Sequence, residues 1–522
     1  MPLISIRNRA GIDVKKLLHI VLNRAFITAL IVLMQVGFFL LEISKWANHY
    51  VQIAAALRVL SIFIVIYLIV KPNNPAVKLA WIVPILVFPL FGGILYLAFG
   101  HVIISRKLRD SIQSADELMR KNMPDHEEIL NKMESENPPA ANQSRYLQLY
   151  SGVPVWENTK TAYFPEGHSY WKQLLEDLEQ AEHFIFLEYF ILGEGTMWDE
   201  ILKILIKKVH QGVEVRLIYD DVGSVFKLPR HYDSYMEEKG IQCEAFNKLI
   251  PFMTIVLNNR DHRKIVVIDG KIGYTGGINL SDEYINYKKL YGYWKDAGIR
   301  LEGEAVWNLT AMFLQIWNLF RHTDEDYKLY YHHFTEKVEG RGFVHPYGDT
   351  PFDNETVGEN VYLNMIGYAR KYYHVFTPYL VIDNEMCTAL KLAAKRGVDV
   401  RIVTPGIPDK KSIYWLTQSN YQNLIEAGVK IYQYTPGFIH SKCVLCDDET
   451  AVVGTINFDY RSFYHHFECG VFLYHADAID ALKKDMEDTF LVSESITMDW
   501  CKKKFFKMNV IGPVLKLFSP LL

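Results

Sequence analysis

Two copies of one residue pattern hold the side chains best suited to chemistry in this sequence. In each copy a lysine follows a histidine by two positions, an aspartate by seven and an asparagine by seventeen. The first copy comprises His262, Lys264, Asp269 and Asn279, and the second comprises His440, Lys442, Asp447 and Asn457. The shared spacing predicts two equivalent structural units that each contribute one set of groups.

Strand geometry predicts where these side chains point. Residues two apart on a strand share a face, so each histidine lies beside its lysine. Asp269 and Asp447 have the opposite parity, and we expect them to point away from the pair and hold the strand end. Asn279 and Asn457 follow glycine-containing turns, which places them where they could return to the histidine face as donors.

Two imidazoles, two ammonium groups and two amides that converge suit a tetrahedral phosphodiester. One neutral imidazole can attack phosphorus and form a covalent phosphohistidine. The other can protonate the leaving alkoxide and then accept a proton from the incoming alcohol. The lysines and amides would neutralise charge on the non-bridging oxygens. This chemistry needs no cofactor, and we predict no metal because no carboxylate cluster in the sequence suggests one.

An internal repeat predicts how the two copies are positioned. Residues 207–221 and 392–406 both read as a helix end, a glycine cap and an alternating strand, with Gly212 and Gly397 at the cap. Helix patterns over 171–181 and 197–210 alternate with strand patterns over 183–191 and 213–219, which is typical of α/β layers. We therefore predict two pseudo-twofold related α/β half-domains, 146–335 and 336–522, with one site at their interface.

The amino-terminal part has the composition of a membrane anchor. Apolar runs at 25–41, 59–70 and 79–105 predict two or three transmembrane helices within residues 1–110. Basic residues flank these runs on both sides, which leaves the orientation open. Residues 111–145 are polar and read as a linker.

Composition restricts the class of partner and the compartment. The chain carries 56 Lys and Arg against 60 Asp and Glu, a net charge of −4, which argues against a nucleic-acid binder. Six cysteines in 522 residues do not make a disulfide framework. Cys443 and Cys446 lie three apart in a strand pattern and cannot chelate one metal. We expect a multi-pass protein of the cell membrane with its catalytic part in the cytoplasm.

The paired pattern resembles the phospholipase D superfamily, whose members carry two HxK(x)4D(x)6G(G/S/T)xN motifs. Residues 259–264, 276–284, 186–191 and the terminus 518–522 are similar to bacterial cardiolipin synthases, although the first apolar run is an addition to the usual two spans. The resemblance implies phosphatidyl transfer between two phosphatidylglycerol molecules, giving cardiolipin and glycerol. By family pattern, His262, Lys264, Asp269, His440, Lys442 and Asp447 form the catalytic set, Asn279 and Asn457 bind phosphate, and Asp296 and Glu468 orient the imidazoles.

Several alternatives stay open at this point. Superfamily precedent favours His262 as the nucleophile, but two matched halves give no internal reason to choose. The same residues would serve a phospholipase D that releases phosphatidic acid, a membrane-tethered nuclease, which the acidic globular part disfavours, or an inactive scaffold. We expect phosphatidylglycerol and anionic membrane lipids as partners and no nucleic acid. The basic and apolar tail fits either a membrane surface or a terminal helix, and the oligomeric state is open.

Overall fold

The structure is a computed structural model of the 522-residue chain. It describes residues 47–71, 74–88, 92–96, 106–248, 259–321, 323, 325–353, 355–504 and 511–521. The first predicted apolar run, 25–41, lies outside these residues, as do parts of the third. The described residues form an amino-terminal unit and a much larger unit that holds both predicted half-domains.

The amino-terminal unit contains helices α1 (Ala47–Val70) and α2 (Pro75–Val87). The Asn74 side chain caps α2 by accepting a hydrogen bond from the Ala76 amide at 2.9 Å. Leu68, Ile85 and Tyr96 form a small buried cluster. Within the described residues, no helix has both the length and the apolar character that crossing a membrane requires, and the predicted spans stay predictions.

The segment predicted as a linker is helical and packed, which corrects that prediction. It forms α3 (Arg106–Lys121), α4 (Glu127–Glu136) and α5 (Pro138–Tyr150). Asn137 separates the last two helices, and its side chain caps α5 by accepting from the Ala140 amide at 3.1 Å. Six apolar residues of these three helices belong to the main core: Met119, Leu130, Met133, Ala140, Ala141 and Leu147. Their spacing was too sparse to stand out in a polar sequence.

The strands of the first half-domain are β1 (Thr159–Phe164), β2 (Phe184–Tyr189), β3 (Glu214–Asp220), β4 (Gln242–Phe246), β5 (Arg260–Asp261), β6 (Lys264–Ile268), β7 (Ile272–Gly276), β8 (Tyr293–Lys295) and β9 (Gly298–Gly303). Seven of them form a sheet of order β1-β9-β7-β6-β2-β3-β4. Strands β2, β3 and β4 are parallel, and the other neighbours are antiparallel. The helices are α6 (Gly167–Glu179), α7 (Thr196–His210), α8 (Asp221–Ser224), α9 (Tyr232–Glu237) and α10 (Val306–Arg321), and a 3-10 helix covers Tyr327–Tyr330.

The strands of the second half-domain are β10 (Phe343–Asp349), β11 (Tyr372–Phe376), β12 (Leu380–Val381), β13 (Asp399–Pro405), β14 (Lys430–Tyr434), β15 (Gly437–Ile439), β16 (Cys443–Cys446), β17 (Thr450–Gly454), β18 (Phe458–Asp459), β19 (His466–Tyr474) and β20 (Ser493–Ile496). Its sheet has the order β10-β19-β17-β16-β11-β13-β14-β20. The helices are α11 (Val357–Tyr368), α12 (Asn384–Lys395), α13 (Lys411–Ser419), α14 (Tyr421–Ile425), α15 (Tyr460–Tyr464), α16 (Ala478–Leu491), α17 (Met498–Lys503) and α18 (Gly512–Phe518), and a 3-10 helix covers Ser519–Leu521.

The two sheets repeat one topology. The path β9-β7-β6-β2-β3-β4 in the first matches β19-β17-β16-β11-β13-β14 in the second, with three antiparallel and two parallel pairings in the same order. Strands β2 and β19 are buried at every position, as expected for sheets covered on both faces. The α/β repeat predicted from the glycine-capped segments is confirmed.

Two short strands exchange between the half-domains. β5 of the first half pairs in parallel with β19 of the second, matching Arg260 with His466 and Asp261 with Phe467. β15 of the second half pairs in parallel with β8 of the first, matching Phe438 with Trp294. Each half thus completes a strand pairing of the other, and both exchanges end next to a motif histidine.

Candidate active site

The exchanged strands bring each motif histidine to a carboxylate of the opposite half. The His262 amide donates to the Phe467 carbonyl at 2.9 Å, and the His440 amide donates to the Lys295 carbonyl at 2.6 Å. The next residue after each acceptor is acidic, Glu468 in one case and Asp296 in the other. Backbone pairing therefore fixes the position of each imidazole relative to its carboxylate.

Both imidazoles contact these carboxylates through Nδ1. His262 Nδ1 lies 3.0 Å from each oxygen of Glu468, and His440 Nδ1 lies 2.6 Å from Asp296 Oδ2. Both carboxylates are fully buried. A carboxylate that accepts the proton of Nδ1 leaves the lone pair on Nε2. This is the arrangement that an imidazole needs to attack phosphorus or to accept a proton.

Burial keeps both imidazoles neutral. It lowers the pKa of His262 to about 3, although Glu468 opposes the shift. It also lowers the pKa of His440 to about 4, together with the charge of Lys442. Burial alone would raise the pKa of Glu468, but His262 lowers it below its usual range. His440 likewise holds the pKa of Asp296 below its usual range against the effect of burial, so the site at neutral pH presents two neutral imidazoles on two ionised carboxylates.

The motif lysines lie beside their histidines, as the two-residue spacing predicted. Lys264 Nζ donates to the His262 carbonyl, and Lys442 Nζ donates to the His440 carbonyl. Both side chains are 1% exposed. Burial lowers the pKa of Lys264 to about 8 and that of Lys442 to about 7. An anionic ligand would hold both groups in the charged form.

The two carboxylates are supported differently. Thr455 donates its hydroxyl hydrogen to Glu468, whereas Asp296 Oδ1 accepts from the Ala297 amide at 2.8 Å. The position equivalent to Thr455 in the first motif is Gly277, and a Cβ there would collide with Asp296 Oδ1. Gly277 thus leaves room for Asp296, whereas Thr455 gives Glu468 a hydrogen-bond donor.

The motif aspartates bind backbone amides rather than the imidazoles. Asp269 accepts from the amides of Glu182, His183 and Phe184 at 2.7–2.8 Å. Asp447 accepts from the amides of the three residues 370–372 at 2.6–2.8 Å. Each carboxylate ties the end of a motif strand to the start of the neighbouring strand, as strand parity predicted. Within the predicted catalytic set, Asp269 and Asp447 therefore hold the motif strands in position.

The two motif asparagines have different partners. Asn279 accepts from the Ile191 amide at 2.9 Å and donates to the Tyr284 hydroxyl at 2.7 Å. Asn457 is 6% exposed, and its Oδ1 has no hydrogen-bond partner within the described part of the chain. Their predicted contact with a phosphate stays a prediction.

Aromatic rings and a third imidazole surround the histidines, and the sequence analysis missed them. Around His262 the ring centroids of Phe190 and His466 lie at 5.0 and 5.5 Å. Around His440 those of Trp294 and Tyr284 lie at 5.3 and 5.5 Å. A comparison of the two repeats could have found part of this set, because Trp294 and His466 each stand two residues before an orienting carboxylate.

Comparisons with known proteins agree with this architecture. The family model described as cardiolipin synthase, PLD-like domain matches residues 174–317 and 362–490. A second model, described as phospholipase D-nuclease N-terminal, matches residues 59–101. Phosphatidylserine synthase of Haemophilus influenzae Rd KW20 shares the fold, with a TM-score of 0.55 at 14% identity over 73% of this chain and 99% of that one.

Relatives of known sequence cover most of this chain. A cardiolipin synthase of Geobacillus kaustophilus is 35% identical over 88% of this chain and 92% of its own length. Cardiolipin synthase 2 of Bacillus anthracis is 34% identical over 86% and 88%. An uncharacterised protein of Streptococcus mutans is 43% identical over 88% and 99%. The chain therefore belongs to the cardiolipin synthase family of phospholipase D-like phosphatidyltransferases.

Proposed function

We propose that this protein is a cardiolipin synthase that transfers a phosphatidyl group between two phosphatidylglycerol molecules and releases glycerol. The observation that carries the proposal is the pair of buried imidazoles, one from each half-domain. Each is bound through Nδ1 to a carboxylate of the other half. A transfer in two steps requires two Nε2 groups at one phosphorus, and the influence of Lys264 on the pKa of Lys442 supports a single shared site.

In the first step, Nε2 of His262 attacks the phosphorus of one phosphatidylglycerol. A nitrogen–phosphorus bond forms as the bond from phosphorus to the glycerol headgroup oxygen breaks. His440 donates a proton to the departing oxygen. Burial disfavours protonated His440, but the negative charge of the bound lipid raises the pKa of His440 and allows it to take up this proton. Lys264 and Lys442 stabilise the charge that develops on the non-bridging oxygens.

In the second step, neutral His440 accepts the proton of a hydroxyl from the second phosphatidylglycerol. The oxygen attacks phosphorus, the nitrogen–phosphorus bond breaks, and cardiolipin leaves with His262 restored. Because the two steps together exchange one alkoxide on phosphorus for another, the overall reaction is reversible. The aromatic rings beside both histidines favour a lipid acceptor over water by limiting access to the intermediate.

We further propose that the protein is a multi-pass protein of the cell membrane whose catalytic part faces the cytoplasm. The apolar runs and the match of residues 59–101 to a phospholipase D amino-terminal model support the membrane assignment. Substrate and product are both lipids, so a site at the membrane surface would receive them without a carrier. Accessibility of engineered cysteines in intact cells would test the topology.

A product assay tests the proposed reaction. Purified protein in mixed micelles is incubated with phosphatidylglycerol, and lipids and glycerol are quantified by mass spectrometry. We expect one glycerol for each cardiolipin formed. Phosphatidic acid without cardiolipin would make the protein a hydrolase and overturn the proposal. His183→Ala serves as a matched histidine control for His262→Ala, and thermal unfolding verifies that each variant is folded.

A further inference from the structure

His466 stands beside the proposed nucleophile without a hydrogen bond of its own. Its side chain is 8% exposed, and neither ring nitrogen has a hydrogen-bond partner within the described part of the chain. Its Nδ1 lies 3.8 Å from Glu468 Oε1, which is beyond hydrogen-bond distance. A buried polar group without a partner is costly, and the proposed reaction gives this imidazole no task.

His466, His262 and Glu468 together have the donor set of a transition-metal site. One ligand atom from each lies within 4.8 Å of the others. Two imidazole nitrogens and one carboxylate oxygen are ligands that Zn²⁺ takes at about 2.0–2.2 Å, usually with a fourth position left open. Ligand atoms around such an ion stand about 3.3 Å apart, so small side-chain rotations would close the site.

The second half-site does not share this donor set. The position equivalent to His466 is Trp294, which packs its ring against His440 and donates no ligand atom. Within the described residues, the group at His262 is the one that meets the spacing of three possible ligands. The pseudo-twofold symmetry of the site is therefore broken at the residue that would bind the ion.

We propose that His262, His466 and Glu468 form an inhibitory binding site for a divalent transition metal such as Zn²⁺. The ion takes the lone pair of His262 Nδ1 in place of its proton, and that proton moves to Nε2. A neutral imidazole carries one ring proton, so Nε2 then has no lone pair to attack phosphorus. The positive charge of Lys264 beside the site opposes the ion, which makes the binding weaker than that of a structural zinc site.

Binding can be measured without turnover. Isothermal calorimetry with ZnCl₂ on the full-length protein should show one binding site. The dissociation constant for Zn²⁺ should rise at least about tenfold in the His466→Asn variant, because the site loses an imidazole ligand. His465→Asn is the matched control because it changes the adjacent histidine outside the cluster. Absence of binding to the wild type at millimolar Zn²⁺, or equal binding by all three proteins, would overturn the proposal.

The inhibitory effect rests on the proposed function and is measured separately. Cardiolipin formation by each protein is titrated with Zn²⁺ and compared with its own rate in chelator. We expect the half-inhibitory concentration to rise at least about tenfold in His466→Asn and to stay unchanged in His465→Asn. Equal inhibition of all three would show that the ion acts elsewhere. If no turnover is found at all, the calorimetry still decides whether the metal site exists.

Discussion

The carboxylates from the opposite half should decide the rate of phosphatidyl transfer. Replacing Glu468 by glutamine keeps the shape of the side chain but removes the charge that faces His262 Nδ1 at 3.0 Å. The His262 imidazole gains positive charge when its Nε2 is bonded to phosphorus. In the variant this buried charge has no carboxylate beside it. Breaking a buried ion pair costs about 3–5 kcal/mol. At 1.36 kcal/mol for each factor of ten, kcat should fall about 150- to 5,000-fold.

The assay is the initial rate of cardiolipin formation over a range of phosphatidylglycerol concentrations. Since the charge acts on the transition state, kcat and kcat/KM should fall together. Glu494→Gln, an exposed change on β20, is the matched control and should leave the rate unchanged. A Glu468→Gln protein with an intact thermal transition and less than about a fivefold loss of kcat would refute the argument that the opposite half orients the nucleophile.

Three further predictions follow from the same contacts. Gly277→Ala should lower activity and the unfolding temperature because the new Cβ collides with a buried carboxylate, whereas Gly367→Ala, which meets open space, should do neither; thermal unfolding and turnover check both. Asp269→Ala should destabilise the protein by about 1–3 kcal/mol because it removes the acceptor of three backbone amides, of which that of Phe184 is buried; the denaturant midpoint should fall, and an unchanged midpoint would contradict the role of Asp269 in joining the two strands. With pKa values of about 8 for Lys264 and about 7 for Lys442, the charged forms are lost as pH rises, so KM should increase above neutral pH; a flat profile would argue against a phosphate contact.

Much of the site was predictable because it depends on local spacing. Strand parity predicted that Lys264 lies beside His262 and that Asp269 points away, and both follow from the two-residue period of a strand. The repeated glycine caps at Gly212 and Gly397 predicted the repeated sheet. Each of these inferences needs residues that are close in sequence.

The rest depends on contacts that local patterns do not contain. The pairing of His262 with Glu468 arises because β5 joins a strand of the other half-domain about 200 residues away. The apolar residues of helices α3 to α5 are scattered among polar ones, so their sequence resembled a linker even though Leu130 and Met133 reach the core. The contrast between His466 and Trp294 becomes visible once the two motifs are superposed through the carboxylates.

The central claim is that phosphatidyl transfer proceeds through a covalent histidine intermediate. The most direct test is to mix the protein with phosphatidylglycerol, quench within one turnover at alkaline pH, and map adducts by peptide mass spectrometry. The account predicts a phosphatidyl group on His262 that disappears when more phosphatidylglycerol is supplied and cardiolipin forms. Cardiolipin formation without any histidine adduct, or an adduct on another residue, would contradict it.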